Sequence, residues 1–496
     1  MHSKPGTSYN PKWHFVNKAV MLNLQTAVRR AAVFLDRWHW VWLILAAPFL
    51  LFPSPSRTPA LLVVPGLWTI AWLARRESLP RTPLNGTLLL LNLMVLVSLY
   101  ATYSIAVSLP KVAGMVLGLG AFYAIVRSGQ SPRGWCLSLC AFLAIGVGMA
   151  GFGLLGTRWL FKVSFLTPIV SRLPARITGM PGAEEGLSAN ELAGTLLWIV
   201  PVLITLSAWT LIQKRKLQAM VGRARAMGLT VSTVGVTLFV AGVLMLTQSR
   251  SGYIGFAFGG LMLALFALPS RWRKFAEAGL AILVVLVVIL VSTQGAQYMM
   301  HGLLGGAAAD NPALSLDTLE GRVEVWSRAY YAIQDFPFTG MGMNTFRHVV
   351  HVFYPLFLVG PDYDIAHAHN EFLQAALDLG IPGLIAFLAL YISAFWMLRE
   401  IWQFANRQSL GAGGNPPASI PHSPLSTLYF SPSTLHALVL GFGSGLIAHM
   451  VYGMTDAVAL GAKPGILFWM LLGLIAALFE QARPSEPETA EGTARV

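Results

Sequence analysis

Two histidines separated by one residue are the sharpest candidates for chemistry in this 496-residue chain, in the run His367-Ala368-His369-Asn370-Glu371. Imidazole is the side chain best suited to accept a proton near neutral pH, so His369 is a candidate general base. We expect His369 to begin a short helix, whose positive end favours the neutral ring that a base requires. Asn370 or Glu371 would orient the ring, and His367 is a second candidate. The alternative is a loop histidine hydrogen-bonded at a membrane interface, and spacing alone favours that alternative.

Arginines predicted to lie near the same face are candidates for phosphate binding. Arg250 stands in LTQSRSGY and Arg322 in GRVEVWSRA. The guanidinium fork matches phosphate and diphosphate oxygens and keeps its charge in a partly dry site. Three further candidates are Arg328, in the same predicted loop as Arg322, and Arg172 and Arg176, in the predicted outside loop at 156–188. Snorkelling at the membrane interface is the alternative. It fits Arg158 and Lys162 better than Arg250, which has small polar neighbours.

Cofactor and metal signatures are weak in this sequence. It contains no P-loop, no Rossmann glycine fingerprint and no HExxH motif. Asp362-Tyr363-Asp364 could contribute two carboxylates to a metal site, but no further ligand follows at helical spacing. Arginines can neutralise a departing diphosphate without a metal, so we expect neither a metal nor a cofactor. Cys136 and Cys140 lie inside one predicted span, where we expect small lipid- or helix-facing side chains and neither a disulfide framework nor a metal knuckle.

The elements that must position these residues are membrane helices. The chain is 55% hydrophobic and 11% charged, with a mean hydropathy of +0.62, whereas soluble domains carry about 25% charged residues. A spanning helix needs about 20 mostly apolar residues, and continuous apolar runs favour helices over barrel strands. We predict an all-α integral membrane protein with about twelve transmembrane helices. The predicted spans centre on residues 42–52, 60–73, 88–100, 112–126, 135–155, 192–211, 229–246, 253–268, 276–291, 381–398, 435–454 and 466–479.

Basic residues orient these spans. With both termini in the cytoplasm, 23 of the 34 Lys and Arg residues fall on the cytoplasmic side, as the positive-inside rule requires. The net charge of +13 then comes mostly from basic residues that orient the spans, and it does not indicate nucleic acid binding. The predicted segments are a cytoplasmic N-terminal part at 1–36, helices 1–9 at 37–291, an outside loop at 292–380, helices 10–12 at 381–482 with a cytoplasmic linker at 405–434, and a cytoplasmic tail at 483–496.

The large outside loop has predicted structure of its own. Apolar residues recur at three- and four-residue steps and predict a helix over 318–334. Asp335–Pro337 ends it, because a residue before proline disfavours the α region. The glycine-bearing run 338–346 predicts a turn.

Four stretches together resemble the bacterial O-antigen ligase family. His369-Asn370, nine residues, Gly380, two residues and Gly383 resemble its signature of His, then Asn, Ser or Gln, then nine residues to G-x-x-G. LTQSRSG resembles its Thr-x-Ser-Arg turn. The remaining stretches, which include Asn344 and Asn190, are GRVEVWSRAYYAIQDFPFTGMGMNTF and RITGMPGAEEGLSANELAG. The same motifs occur in O-antigen polymerases and bacterial O-linked oligosaccharyltransferases.

The resemblance implies a GT-C-like glycosyltransferase on the periplasmic face of the bacterial inner membrane, surrounded by membrane lipids. It implies metal-independent, inverting transfer of a glycan from undecaprenyl diphosphate to a sugar hydroxyl of lipid A–core oligosaccharide. His369 would then be the base, with Arg250 and Arg322 holding the diphosphate. Residues expected to contact substrate are Arg172, Arg176, Asn190, Arg328, Asn344, His367 and Asn370.

Three other functions stay open. A polymerase would use a second lipid-linked repeat unit as acceptor. A protein O-oligosaccharyltransferase often has a larger C-terminal outside region than the tail after Arg483. A non-catalytic carrier for lipid-linked anions would have charged or broken helices at mid-membrane. The chain shows only Glu191 and Asp456 near span ends.

Overall fold

The computed structural model describes residues 25–173, 177–179, 186–268, 271–275, 278–279, 319–360, 363–410 and 431–482. Within these residues the regular structure is almost entirely helical. The one pair of strands among them, β1 (Thr157–Arg158) and β2 (Leu187–Ser188), is two residues long and parallel. The predicted all-α membrane fold is confirmed.

The chain divides into two compact units, Met1–Arg81 and Thr82–Val496. In the first, two helices meet at a bend of 66° and a 3₁₀ turn leads into a third. The carboxylate of Asp36 is buried and accepts a hydrogen bond of 2.6 Å from Arg75 Nε, which links the first helix to the third. These helices are α1 (Gln25–Arg37), α2 (His39–Leu51) and, after the 3₁₀ turn Pro55–Leu62, α3 (Val63–Arg75).

The second unit contains the remaining described helices. They are α4 (Asn85–Ala101), α5 (Ile105–Ser128), α6 (Pro132–Gly156), α7 (Thr167–Val170), α8 (Ala189–Leu196), α9 (Val200–Ile212), α10 (Lys214–Val221), α11 (Arg223–Leu246), α12 (Arg250–Ala267), α13 (Leu319–Asp335), α14 (Phe346–Phe353), α15 (Glu371–Ser409), α16 (Pro432–Gly453) and α17 (Ile466–Ala482).

Nine helical segments of the described chain are long and apolar enough to cross a membrane, and the bent pair α1–α2 makes a tenth. The shorter helix α4 is also apolar. The predicted span at 276–291 falls almost wholly outside the described residues, so the count of twelve remains a prediction. α15 continues to Ser409 and α16 begins at Pro432, and most of the predicted linker at 405–434 likewise lies outside them.

Small residues let the central helices approach closely. A Cβ on Gly255 of α12 would lie 2.4 Å from the carbonyl oxygen of Ala448 in α16, and one on Gly259 would lie 2.8 Å from that of Ser444. Glycines four residues apart allow such backbone contact between membrane helices. This contact fixes the start of α12, which carries Arg250, against the end of α16.

α15 is broken at Gly380, where φ is 71° and ψ is 178°. A side chain there would meet the Phe338 carbonyl carbon at 2.6 Å, and one on Gly340 (φ 66°) would meet the Asp378 carbonyl carbon at 2.6 Å. Only glycine tolerates both the positive φ and this contact. The predicted turn at 338–346 therefore packs its backbone directly on the break in α15. The helix predicted before it, 318–334, is observed as Leu319–Asp335.

The same turn docks on the beginning of α5. Ser108 Oγ donates to the Met343 carbonyl at 2.7 Å, and Asn344 Nδ2 donates to the Val107 carbonyl at 3.2 Å. The hydroxyls of Thr102 and Thr345 are 3.0 Å apart. The turn thus connects α13 and α15 to the α4–α5 connection, and it sets where the residues before α15 can lie.

Candidate active site

The segment Tyr452–Asp456, at the end of α16, is the point where several helix starts meet. The Tyr452 hydroxyl donates to the Asn190 carbonyl in α8 at 2.9 Å. The Thr455 hydroxyl donates to Ser251 Oγ in α12 at 2.9 Å. Asn370 Nδ2, at the N-cap of α15, donates to the Met454 carbonyl at 2.9 Å. The first turns of α8, α12 and α15 are therefore held around one short connection.

Arg322 brings the first turn of α13 to the same place. One guanidinium nitrogen donates to the Thr455 carbonyl and lies 3.5 Å from Ser251 Oγ. The other lies 3.8 Å from Asp456 Oδ2, and the arginine side chain is 13% exposed. A guanidinium keeps its charge at any accessible pH, so Arg322 is a permanent positive charge beside the end of α16.

Asp456 stands between the two predicted histidines. Its Oδ1 lies 3.7 Å from His367 Nε2 and 3.6 Å from His369 Nδ1, and the two ring centroids are 4.5 Å apart. The carboxylate is only 1% exposed, and Oδ1 also accepts the Ala457 N–H at 2.9 Å. One buried carboxylate therefore contacts both imidazoles with one oxygen and Arg322 with the other.

The backbone determines the tautomer of His367. Its Nδ1 accepts the His369 N–H at 3.1 Å, so the proton of the neutral ring is on Nε2, which faces Asp456. Burial first, and then the charge of His369, lower the pKa of His367 to about 3, and Asp456 only partly opposes this. His367 therefore stays neutral near pH 7, with its Nε2–H facing Asp456 at 3.7 Å.

His369 is held through both its backbone and its ring. Its backbone has a positive φ of 48°, and its carbonyl accepts the Trp326 Nε1–H of α13 at 3.3 Å. Because Nδ1 is the ring nitrogen that faces Asp456, Nε2 is the nitrogen that can meet a substrate proton. Burial raises the pKa of Asp456, but its contacts with His369, His367 and Arg322 outweigh burial and hold that pKa well below the usual range. The carboxylate is thus charged when the base acts.

The three ligand-type atoms of His367, His369 and Asp456 lie within 4.8 Å of one another, as in a metal site. A metal would need the lone pair of His367 Nε2, yet that nitrogen carries the proton because Nδ1 accepts a backbone N–H. The cluster of His367, His369, Asp456 and Arg322 therefore fits a carboxylate–imidazole site better than a metal site. In the other candidate metal group, Asp364 is paired with Arg347, and Asp362 lies outside the described residues.

Helix ends add positive potential to this cluster. α8, α12, α13 and α15 all begin beside it, and unpaired N–H groups at a helix start attract anions. Arg250 is the first residue of α12, next to the Ser251 that Arg322 contacts, and it is half-buried. Asn190, in the first turn of α8, touches the cluster through its carbonyl. The structure thus brings together predicted residues from four separate stretches of sequence.

Other predicted residues lie away from the cluster or form hydrogen bonds to backbone groups. Arg328 donates to the Pro355 carbonyl at 2.7 Å and stacks over Phe357. The Asn344 side chain binds the Val107 carbonyl. Asn370 caps α15 by accepting two backbone N–H groups at 3.0 Å each. Of the remaining pair of predicted residues, Arg172 is exposed just after α7, and Arg176 lies outside the described residues.

Sequence reasoning did not place Asp456, Thr455 or Lys111 in the site. Lys111, near the start of α5, lies close enough for its charge to disfavour protonation of His367. Each of the three residues lies in a connection or at a span end that the predicted topology places on the same side of the membrane as His369. This shared side is the sequence feature that could have identified them. Glu371 also has another partner: its carboxylate is 2.9 Å from His449 Nε2 in α16.

Residues 235–388 match the family model described as O-antigen ligase. The matched segment includes Arg250, Arg322 and His369, and it confirms the family resemblance predicted from the motifs. No curated protein matches the chain. The segment is thus similar to O-antigen ligase/polymerase-type enzymes, and the long apolar helices of the described residues indicate a multi-pass membrane protein.

Proposed function

We propose that this chain, which carries an O-antigen ligase domain, is a ligase that transfers a glycan from undecaprenyl diphosphate to a sugar hydroxyl of lipid A–core oligosaccharide. The single observation that carries the proposal is the contact of one buried carboxylate, Asp456, with His369, His367 and Arg322. A base beside a fixed cation is what hydroxyl attack on a glycosyl diphosphate requires. The reaction would take place at the periplasmic face of the inner membrane.

The donor diphosphate would bind where positive charge is concentrated. Arg322 and Arg250 supply two guanidinium groups, and the positive ends of four helix dipoles lie nearby. These groups are fixed before the donor arrives, so they stabilise the negative charge that grows on the diphosphate without further reorganisation. Lys111 adds a third cation near the same cluster.

His369 would act as the base through Nε2. The acceptor hydroxyl gives its proton to this nitrogen, and the imidazolium formed is stabilised by Asp456, 3.6 Å from Nδ1. His367, neutral with its proton on Nε2, faces the same carboxylate oxygen at 3.7 Å. Asp456 is a positioning residue, because it acts through the imidazole.

The bond changes balance without another reactant. The acceptor oxygen attacks the anomeric carbon from the side opposite the diphosphate, so a new C–O bond forms as the glycosidic C–O bond breaks. The departing diphosphate takes the electron pair of the broken bond, and the proton stays on His369 until it passes to solvent. Attack from the opposite face inverts the anomeric configuration. No step requires a metal ion.

We assign the periplasmic catalytic region to residues 292–380, between helices 1–9 at 37–291 and helices 10–12 at 381–482. Arg172 and Arg176 would then contact phosphates of the lipid A–core acceptor. Arg328, Asn344 and Asn370 remain candidates for substrate contact, although their described hydrogen bonds support the loop and the start of α15. The GT-C-like architecture is also proposed, because the family resemblance implies it.

The test uses the full chain in nanodiscs with an undecaprenyl-diphosphate glycan, lipid A–core acceptor and EDTA, followed by a lipopolysaccharide gel. We expect a ladder of higher-mass lipopolysaccharide with the wild type. His369→Ala should lower the rate about 10²–10⁴-fold, the usual effect of removing a positioned base. His348→Ala is the matched control, because His348 is an exposed histidine of the same loop.

Three outcomes would contradict parts of this proposal. Lengthening of the glycan on its lipid carrier, with no product on lipid A–core, would identify a polymerase. Transfer that EDTA abolishes would refute the metal-independent mechanism. Transfer that survives His369→Ala would remove the base assignment.

A further inference from the structure

A buried hydrogen-bond chain runs from the glycine turn to the peptide between the two histidines. The Gln374 side chain, in the first turns of α15, accepts the Ala368 N–H with Oε1 at 2.8 Å. Its Nε2 donates to Asp378 Oδ1 at 2.9 Å. The same carboxylate oxygen accepts the Asn344 N–H at 3.1 Å. Gln374, Asp378 and Ala368 are all buried, so water does not compete for these bonds.

The polarity of this chain is fixed by its ends. The Ala368 N–H can only donate, so the amide oxygen of Gln374 must face it and the amide nitrogen must face Asp378. Asn344 has a positive φ of 65°, and its N–H is likewise a donor. Asp378 Oδ1 accepts twice, and the Gln374 amide accepts once and donates once, so both backbone N–H groups and the Gln374 amide have partners.

The bond to Ala368 acts on the part of the site that lacks regular structure. His367 and His369 precede the N-cap of α15, so no helical hydrogen bond holds them. His369 has a strained positive φ, and its N–H must point at His367 Nδ1 to fix the tautomer. The Ala368 peptide joins these two residues, so its orientation determines how both rings face Asp456. A strained conformation of this kind persists only where its surroundings hold it.

We propose that Gln374, anchored by Asp378, is a positioning residue for the His367–His369 pair. The assignment rests on the proposed function, because it explains how the proposed base is held. Through Asp378 and Asn344 it also links the base to the glycine turn, and so to the start of α5. A side chain one turn into α15, which touches neither imidazole by a hydrogen bond of its own, thereby sets the geometry of both.

The test reverses one hydrogen bond. Gln374→Glu keeps an acceptor for Ala368 N–H but sets a second carboxylate about 3 Å from Asp378. Asp378→Asn keeps an oxygen that accepts from Asn344. In the double variant the introduced amide rotates, its nitrogen donates to the introduced carboxylate, and its oxygen accepts from Asn344. The Ala368 and Asn344 N–H groups keep their acceptors, and the bond between positions 374 and 378 runs in the opposite direction.

We expect Gln374→Glu to lower kcat about tenfold to hundredfold with little change in the donor KM, since a buried mispaired group moves the base and not the diphosphate site. Adding Asp378→Asn should restore kcat to within about threefold of the wild type. Histidine ¹⁵N NMR should follow the same pattern, with the Nε2–H signature of His367 lost in the single variant and recovered in the double. Gln481→Glu, at the opposite end of the bundle beside Gly129, is the control and should leave both readouts unchanged.

The outcomes separate this inference from the proposed function. If His369→Ala abolishes transfer while Gln374→Glu leaves kcat and the NMR signature as in the wild type, the positioning role is wrong and the base assignment stands. If Gln374→Glu lowers activity but the folded double variant does not recover it, the hydrogen-bond chain is not the cause and the inference is overturned. If the wild type shows no transfer, the proposed function fails, while the NMR comparison still tests the positioning.

Discussion

Replacing Asp456 by asparagine is the sharpest perturbation of this site. The substitution removes one negative charge and keeps the shape of the side chain. An amide oxygen can still accept the Ala457 N–H that the carboxylate accepts at 2.9 Å, so the connection after α16 should keep its conformation. What is lost is the charge beside His369 and Arg322.

The magnitude follows from the distance of 3.6 Å between Asp456 Oδ1 and His369 Nδ1. At an effective dielectric constant of about 20, two unit charges at that distance attract by about 5 kcal/mol. Part of this is offset, because the neutral side chain no longer bears the cost of burying a charge. About 3 kcal/mol should remain, and at about 1.4 kcal/mol per tenfold this corresponds to a roughly 10²-fold loss in kcat.

The assay is single-turnover transfer from a fluorescently labelled donor in nanodiscs, with kcat and the donor KM measured separately. Arg322 no longer faces a negative charge at position 456 in the variant, so the donor KM should stay constant or fall. Asp364→Asn is the control, because Asp364 is an exposed carboxylate paired with Arg347 in the same loop.

Two results would refute this reasoning. A variant that keeps kcat within about threefold of the wild type would mean that no imidazolium forms beside Asp456 in the slow step. A loss that appears in the donor KM alone would mean that Asp456 acts on donor binding. Thermal unfolding of the purified variant separates either result from a folding defect.

Three further predictions concern the charge, the backbone and the pH dependence of the same region. Arg322→Lys should raise the donor KM and lower kcat/KM about 10²-fold in the same assay, because a single ammonium replaces a fork that binds two partners at once. Gly380→Ala should destabilise the fold by about 1–3 kcal/mol in thermal unfolding, because of its positive φ and the contact with Phe338, whereas Gly86→Ala, with open space around it, should not. The folded-state pKa of His367 is about 3, below the usual 6.5, so the unfolded chain binds this proton first and stability should fall as pH decreases below about 6.5. The expected loss is at most about 2 kcal/mol by pH 5, and His367→Asn should flatten the unfolding-against-pH curve in that interval.

Local sequence features predict the elements of this site but not their meeting point. Continuous apolar runs predict the spans, and the three- and four-residue spacing predicts α13 within one residue at either end. The run 338–346 predicts a turn from its glycines. That Gly340 and Gly380 pack on each other does not follow from either glycine, because contact between them depends on how α13 and α15 are arranged.

The residues of the site likewise divide into those that local motifs predict and those that only tertiary packing brings together. His369, Arg322 and Arg250 stand in local motifs, and all three lie at helix starts beside Asp456 or its neighbours. Asp456 itself has no motif around it, and its role comes from the packing of α16 against α12. Asn344 shows the reverse case, since it is part of a motif whose observed bonds are to the Val107 carbonyl and Asp378.

In the proposed reaction, the shared carboxylate explains why one site can both bind an anion and generate a cation. Before the donor binds, Asp456 balances Arg322 across a long contact of 3.8 Å, so the guanidinium is only loosely held by it. As the glycosidic bond breaks, negative charge moves to the diphosphate, which attracts Arg322. The proton that reaches His369 gives Asp456 a new positive partner at 3.6 Å. The carboxylate is therefore paired before and after transfer, and the buried charge is compensated at each stage. A site with the arginine and histidine but without Asp456 would have to form the imidazolium beside uncompensated cations.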